Sequence, residues 1–409
     1  KDSDWHLRFV KTGEIARTVK ARSLMRLIGE AAWHCADPGM QFDTTVNKWH
    51  TCPATGPITA SNPCSEYMHL DNSACNLASL NLLKFLKSSG EFDVESYKKA
   101  IRIFIIAQDI IVGHSSYPTP KIERNAHDYR ELGLGYTNLG ALLMRWGFPY
   151  DSDAARVHTS VLTSILTGEG YATSAEISKV KGSFAGYEKN KEHMLNVIKM
   201  HGEEAQKIEK KHLLPYMWES AQEPWKAAFE NGQKYGIRNS QATVLAPTGT
   251  ISFMMDADTT GIEPCFSLVA YKKMVGGGFL KIVNQSLAHA LMNLGYDESK
   301  TRQIIDYVLA NDTIEGAPFL KDEHLSVFDC ATNAKNGLRS IHYLGHVRMM
   351  AAAQPFISGA ISKTVNLPES ATIEDVIDTY MDSWKMGLKA IAIYRDNSKG
   401  SQPLNTSKT

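Results

Sequence analysis

Three residues that can carry chemistry lie close together in the segment Asn62-Pro-Cys-Ser-Glu66. If this segment is extended, the two-residue period of a strand places Asn62, Cys64 and Glu66 on one face, where an amide, a thiol and a carboxylate converge. A carboxylate beside a cysteine raises the thiol pKa, which disfavours a thiolate nucleophile and hydrolase-type catalysis. A neutral thiol beside a base instead suits hydrogen-atom chemistry, with Cys64 as the radical-bearing sulfur and Glu66 as the base. The alternative is that Cys64 is a small buried residue in a turn.

A second candidate site follows the short apolar run at residues 242–245. A Pro-Thr-Gly-Thr turn separates this run from a helix-compatible segment at 251–255, so a strand, a tight turn and a helix start follow one another. Free backbone N–H groups and the positive dipole end of a helix bind phosphate without any net positive charge. The alternative is an ordinary helix cap rich in hydroxyl residues. The candidate phosphate-binding residues are Pro247, Thr248, Gly249, Thr250, Ile251 and Ser252.

The elements that must position these sites alternate between helices and short strands. Helical periodicity is found at residues 15–35, 93–112, 151–181, 191–211, 220–235, 279–294, 297–310 and 373–389. Short strand-like runs occur at residues 132–136, 242–245, 267–269, 360–365 and 390–393. This alternation predicts an α/β fold with βα units around a parallel sheet or barrel. Residues 38–81 read as an irregular segment too long for a neutral connector, so we expect it to be functional.

Composition restricts the classes of partner. The chain has 409 residues with 44 Lys+Arg and 44 Asp+Glu, so no net field attracts it to nucleic acid or to a membrane surface. No apolar run is long enough to cross a bilayer. Six cysteines are too sparse for a secreted disulfide scaffold and predict a reduced, cytoplasmic protein. No metal-ligand spacing occurs, so we expect no protein-ligated metal.

Several other motifs favour ordinary structural roles. Trp33-His34-Cys35 reads as the end of an amphipathic helix, and Cys52, Cys265 and Cys330 read as buried small residues. His342 and His346 are expected to be a pair on a helix surface. Gly133-Leu-Gly135 lacks the third glycine of a dinucleotide site and predicts tight packing of a strand. Gly276-Gly-Gly278 predicts either a mobile loop beside the site or a plain hinge.

The sequence around Cys64 resembles the finger-loop signature of ribonucleotide reductases. The resemblance continues in the same order along essentially the whole chain, in segments 36–39, 42–47, 62–66, 75–82, 131–135, 245–252, 260–264, 360–366 and 394–396. It implies residues 1–409 form the second half of a ten-stranded α/β barrel, with the finger loop at about residues 53–82. The N-terminal half of the barrel and an effector domain would lie upstream, so we expect that the chain cannot turn over alone.

The resemblance also implies a role for each site residue. Cys64 would carry the thiyl radical that removes the 3′-hydrogen of the ribose, Glu66 would be the base on the 3′-hydroxyl, and Asn62 would orient the substrate hydroxyls. Cys75, eleven residues after Cys64, would be one of two thiols that reduce the 2′ carbon, with a buried packing cysteine as the alternative. Segment 247–252 would bind the diphosphate of a ribonucleotide substrate.

Members of this family differ in how the radical is made. Those that depend on a radical-donating subunit have adjacent tyrosines on the last barrel strand, where this chain has Ala392-Ile393. Glycyl-radical members lack the active-site carboxylate, and the tail 401–409 shows no radical-glycine loop. With the short spacing from Cys64 to Cys75, the resemblance favours the adenosylcobalamin-dependent type, a thioredoxin-type reductant and a homodimer. The alternatives are a subunit-dependent reductase large chain and a non-catalytic nucleotide-binding fragment.

Overall fold

The computed structural model describes residues 2–273 and 279–399. The predicted Gly276-Gly-Gly278 loop and the tail 401–409 lie outside the described residues. The described helices are α1 Ala21–Cys35, α2 Asp43–Lys48, α3 Val94–His114, α4 Pro120–Tyr129, α5 Leu139–Arg145, α6 Asp153–Lys181, α7 Tyr187–Gln206, α8 Pro215–Tyr235, α9 Gly249–Met254, α10 Ser286–Asn293, α11 Glu298–Asn311, α12 Tyr343–Ala353 and α13 Ile373–Lys385. Short 3-10 turns occupy Leu82–Phe85, Asp322–Phe328 and Gln354–Phe356.

The described strands are β1 Asp4–Arg8, β2 Ile15–Lys20, β3 Met40–Gln41, β4 Asn76–Asn81, β5 Leu132–Thr137, β6 Val269–Lys273, β7 Phe279–Val283, β8 Thr364–Leu367 and β9 Ala390–Arg395. Strands β1 and β2 form one antiparallel hairpin, and β6 and β7 form another. Strand β4 pairs in parallel with β5, and β8 pairs in parallel with β9, whose other edge carries the short antiparallel β3. Together, the helices and strands make a mixed α/β fold, as the sequence predicts.

One further segment joins the two parallel pairs. Residues 242–245 make single parallel bridges, from Thr243 to Leu134 of β5 and from Leu245 to Ile361 just before β8. Five parallel segments therefore lie side by side in the order β4, β5, 242–245, 361–367 and β9. The predicted tight packing of Gly133 and Gly135 is confirmed, because β5 is buried along its whole length. The complete ten-stranded barrel stays a prediction.

Helices cover this parallel array and build the core. Helix α6 runs for 29 residues and is capped at its N-terminus by Ser152, whose side chain accepts a hydrogen bond from the Ala155 N–H. It is buried along most of its length and packs against α3, α8 and α12. A second, smaller apolar core lies among α10, α11 and the 3-10 turn at Asp322–Phe328. Among the described residues, no helix is both long and apolar enough to cross a bilayer.

The structure corrects several predicted elements. Residues 15–20 belong to β2, and the first helix begins only at Ala21, because β1 supplies hydrogen-bond partners that helical periodicity cannot reveal. Residues 279–283 likewise pair with β6, so the predicted helix at 279–294 is confined to α10. The segment 38–81 is less irregular than expected, since it contains β3, α2 and β4.

Candidate functional site

The loop that carries Cys64 is a tight turn rather than an extended segment. The Ser65 N–H donates to the Asn62 carbonyl at 3.0 Å, and Ser65 has a positive φ of 62°. The Asn62 side chain braces the turn, because its Oδ1 accepts a hydrogen bond of 3.0 Å from the Tyr67 N–H. The prediction of a shared strand face is therefore wrong in its geometry. The turn leaves Cys64 exposed and buries Glu66.

Glu66 interacts electrostatically with both candidate thiols. Burial and then the Glu66 carboxylate raise the pKa of the Cys64 thiol. Burial raises the pKa of Cys75 well above its usual value, and the carboxylates of Glu131 and Glu66 raise it further. Glu66 Oε2 is buried and has no hydrogen-bond partner among the described residues, so an acceptor is available beside the two thiols. Cys64 and Cys75 are therefore both protonated thiols, and both interact with the carboxylate of Glu66.

The backbone of Glu66 is attached to the parallel array. Its carbonyl accepts a hydrogen bond of 2.8 Å from the Ala360 N–H, and the Ala360 carbonyl accepts one of 3.0 Å from the Leu245 N–H. A glycine is required at the adjacent position 359, because a Cβ there would lie 3.0 Å from the Glu66 carbonyl oxygen and 2.6 Å from Val244 Cγ1. The loop that carries Cys64 is therefore seated on the same strands that lead to the candidate phosphate segment.

The segment 247–252 has the geometry of a turn followed by a short helix. Thr248 precedes α9 in the left-handed conformation, with a φ of 53°. Its Oγ1 points inward, where it accepts a hydrogen bond of 2.8 Å from the Gly261 N–H and lies 3.0 Å from Thr137 Oγ1. Ser252 is buried beside it, with its Oγ 3.1 Å from Thr248 Oγ1. The hydroxyls of these residues therefore hold the turn and leave its outer side to Gly249 and Thr250.

The outer side of this segment is open. Gly249, Thr250 and Ile251 are exposed, Pro247 is half-buried, and the first hydrogen bond into the helix runs from the Ser252 N–H to the Thr248 carbonyl. The N–H groups of the first helical turn precede that bond and have no carbonyl within the helix to bind.

A buried polar cluster that the sequence did not predict lies at the amino ends of the parallel segments. The amino ends of the parallel segments contribute Glu131, Ser240 and Lys389, and the loop contributes His69. His69 Nδ1 lies 3.0 Å from Glu131 Oε1, and its Nε2 lies 3.2 Å from Ser240 Oγ. One signal in the sequence could have indicated this cluster, because Glu131 is a carboxylate that directly precedes a strand predicted to be buried.

A second unpredicted network contains His346. His346 is fully buried on α12, so the predicted surface pair with His342 is wrong, and His342 instead caps the start of the helix. The Lys363 Nζ lies 2.8 Å from His346 Nδ1 and 2.5 Å from Glu263 Oε2.

The prediction of buried packing is confirmed for Cys52, Cys265 and Cys330, and Cys35 ends α1 as expected.

Comparisons with known proteins find relatives along nearly the whole chain. Residues 3–394 match the family model described as "Ribonucleotide reductase, barrel domain". A "Vitamin B12-dependent ribonucleotide reductase" from Rhodopirellula baltica is 58% identical over 386 residues, which cover 94% of this chain and 37% of that protein. One of the same name from Streptomyces coelicolor is 52% identical over 399 residues, which cover 96% and 41% respectively.

A more distant relative differs slightly in name. A "Vitamin B12-dependent ribonucleoside-diphosphate reductase" from Mycobacterium tuberculosis is 30% identical over 397 residues, which cover 97% of this chain and 50% of that protein. The chain therefore spans between about a third and a half of the length of these relatives.

Proposed function

The chain belongs to the ribonucleotide reductase family, and from this premise we propose that it supplies part of the catalytic chain of an enzyme that reduces ribonucleotides, as diphosphates, to 2′-deoxyribonucleotides for DNA synthesis. The observation that carries the proposal is the buried Glu66 carboxylate, whose Oε2 has no hydrogen-bond partner among the described residues. Burial first, and then nearby carboxylates that include Glu66, raise the pKa of Cys64 and of Cys75. Radical reduction of a sugar needs thiols that keep their hydrogen and a base that takes a hydroxyl proton, and this arrangement offers both.

Each residue then has a defined part in the reaction. Cys64, as a thiyl radical, takes the 3′-hydrogen of the ribose, while Glu66 takes the proton of the 3′-hydroxyl. Asn62 orients the sugar hydroxyls from the turn that its own side chain braces. Cys75 and a second thiol supply two electrons and two protons, so that the 2′-hydroxyl leaves as water, a C–H bond replaces it, and a disulfide forms. The hydrogen returned from Cys64 to the 3′ carbon regenerates the thiyl radical.

The substrate diphosphate is held at segment 247–252. Backbone N–H groups at the start of α9 face the exposed side of this turn, and hydrogen bonds from the hydroxyls of Thr137 and Thr248 fix its inner side. Binding on backbone amides requires no cationic surface, which agrees with a formal net charge of zero. The positive end of a helix dipole adds to the attraction for the phosphate.

The radical source is proposed to be adenosylcobalamin. When bound, this cofactor supplies a carbon-centred radical through homolysis of its cobalt–carbon bond. The residues present fit an external radical source, because Cys64 is exposed at the tip of its turn. The last strand, β9, carries Ala392 and Ile393 where a subunit-dependent enzyme would have adjacent tyrosines. No residue of the described ranges is assigned to the cobalt.

The chain is proposed to act within a longer polypeptide. The relatives from Rhodopirellula baltica and Streptomyces coelicolor are more than twice as long as this chain. Strand β4 pairs with β5, and no other described strand pairs with the second edge of β4. We propose that an N-terminal half of the barrel pairs there and brings the second reducing thiol. A thioredoxin-type dithiol would reduce the resulting disulfide, and the complete enzyme is proposed to be a cytoplasmic homodimer.

The decisive experiment replaces Cys64 in the complete enzyme. Cys64→Ser should abolish deoxyribonucleotide formation from ribonucleoside diphosphates in the presence of adenosylcobalamin and a dithiol. Cys35→Ser is the matched control, because Cys35 is also exposed but ends α1 instead of lying in the finger loop. Unchanged product formation by Cys64→Ser would exclude the thiyl role and favour a non-catalytic fragment. Activity that requires a radical-donating subunit and ignores adenosylcobalamin would favour the subunit-dependent type.

A further inference from the structure

The strand register places a carboxylate directly beside Cys75. Strands β4 and β5 are parallel, with Asn76 opposite Leu132, so the preceding residues Cys75 and Glu131 are also neighbours across the pair. Side chains alternate along a strand, so Glu131 and Gly133 share a face. A Cβ at Gly133 would lie only 2.6 Å from Cys75 Sγ, which shows that the sulfur lies against this face of β5.

The same carboxylate forms a fully buried ion pair with a histidine from the finger loop. His69 Nδ1 lies 3.0 Å from Glu131 Oε1, and the two side chains are 3% and 0% exposed. The two groups meet within hydrogen-bonding distance, so His69 compensates the charge of Glu131. Removing one partner of a buried ion pair leaves the other charge uncompensated, which is unfavourable in a protein interior.

The charges around Cys75 differ from those around His69. Glu131 and Glu66 face Cys75, and the phenol of Tyr67 lies close to both Glu131 and Cys75. Glu131, Cys52 and His50 face His69. Burial alone lowers the pKa of His69, but its contacts with Cys52 and Glu131 outweigh burial and raise it to about 9. His69 is therefore a cation at neutral pH, whereas the charges that face Cys75 are negative.

We propose that the Glu131–His69 pair is a positioning device that holds Cys75 as a neutral thiol until substrate oxidises it. The inference rests on the proposed function, in which Cys75 is a reducing thiol. The carboxylate of Glu131 disfavours a thiolate at Cys75 by like-charge repulsion, and His69 holds that carboxylate in place through its contact of 3.0 Å. Cys75 consequently retains the proton that reduction of the 2′ carbon consumes. Neither Glu131 nor His69 touches the substrate in this account.

The test measures the protonation of Cys75 directly and needs no turnover. In the reduced complete enzyme, the rate of alkylation of Cys75 by iodoacetamide is followed across pH by mass spectrometry of the peptide that contains it. Glu131→Gln should move the alkylation profile to lower pH by at least one unit, which means about tenfold more thiolate at any pH below the thiol pKa. Glu263→Gln, the same change in a remote buried ion pair, should leave the Cys75 profile where it is.

One further variant separates charge from structure. Glu131→Asp keeps the carboxylate and should stay close to the native profile, because the charge that faces Cys75 is retained. A native profile in Glu131→Gln, or an equal shift in Glu131→Asp, would overturn the inference. Failure of the proposed function is recognised separately, because Cys75→Ser would then continue to form deoxyribonucleotides.

Discussion

Lys389 is a buried cation whose loss has a calculable effect on stability. Its side chain lies at the start of β9, where Nζ donates hydrogen bonds to the carbonyls of Ser358 at 3.1 Å and Gly359 at 2.5 Å. Burial lowers the pKa of Lys389 from 10.5 to about 7. Lys389→Met removes the titrating group and keeps a side chain of similar length and shape.

The magnitude follows from the two pKa values. The difference between 10.5 and about 7 is 3.5 units, and at 1.36 kcal/mol per unit the folded state is disfavoured by about 5 kcal/mol while the amine is charged. This cost is fully present below pH 7 and disappears as the pH rises from 7 to 10.5, because the unfolded chain binds the proton more tightly over that window. Between pH 6 and pH 9, the native protein should gain about 2–3 kcal/mol relative to Lys389→Met.

The assay is urea unfolding of the complete enzyme and of Lys389→Met at matched pH values between 6 and 9. Titrating groups that the two proteins share cancel in the difference between their free energies of unfolding, so the slope with pH reports Lys389 alone. Lys121→Met, at an exposed lysine on α4, is the matched control and should show no such slope. Parallel curves for the native protein and Lys389→Met would refute the reasoning. Lys389→Met should also lower kcat, since Gly359 and Ala360 carry the backbone of Glu66.

Two further substitutions test residues that stabilise the candidate site. Glu263→Gln removes the counter-charge of Lys363, 2.5 Å away; the Lys363 side chain is fully buried and that of Glu263 is half-buried. The substitution should reduce the free energy of unfolding by about 3 kcal/mol, measured as a lower Tm, because it leaves the buried amine uncompensated. An unchanged Tm would show that this ion pair does not stabilise the fold. Thr137→Val keeps the shape of a buried strand residue but removes the hydroxyl that bonds to Thr248 and to the Gly261 N–H. The KM for the nucleotide should therefore rise about tenfold, which corresponds to a loss of about 1.4 kcal/mol of binding free energy, while kcat changes less. An equal fall in kcat with no change in KM would argue against a role of this turn in binding.

The sequence predicts those parts of the site whose chemistry is local. The Cys64–Glu66 interaction needs residues two positions apart, and the phosphate segment is a contiguous strand, turn and helix start. Helix α3 was predictable for the same reason, because Asp93 caps it through a hydrogen bond of 3.1 Å from the Ser96 N–H. Each of these features depends on neighbours within a few residues, which periodicity and capping rules describe well.

The remaining parts depend on contacts between distant segments. His69 and Glu131 are 62 positions apart, and they meet only because the segment that carries His69 folds over the amino end of β5. His346 follows helical spacing from His342, which predicts a shared surface, but the packing of α12 against β8 and α6 buries it beside Lys363. The hairpin of β1 and β2 was missed because pairing supplies hydrogen bonds that no single segment displays.

The chain has no formal net charge, but its buried charges are arranged in a definite way around Cys75. The carboxylates of Glu66 and Glu131 act on the thiol of Cys75, whereas His69 is paired with Glu131 at 3.0 Å. Two carboxylates near one buried thiol would repel each other and disfavour folding unless a cation compensated them. If that cation touched the sulfur, it would stabilise the thiolate and remove the proton that reduction needs. Pairing His69 with Glu131, instead of with Cys75, satisfies both requirements, so the pairing of these three groups is more informative than their net charge.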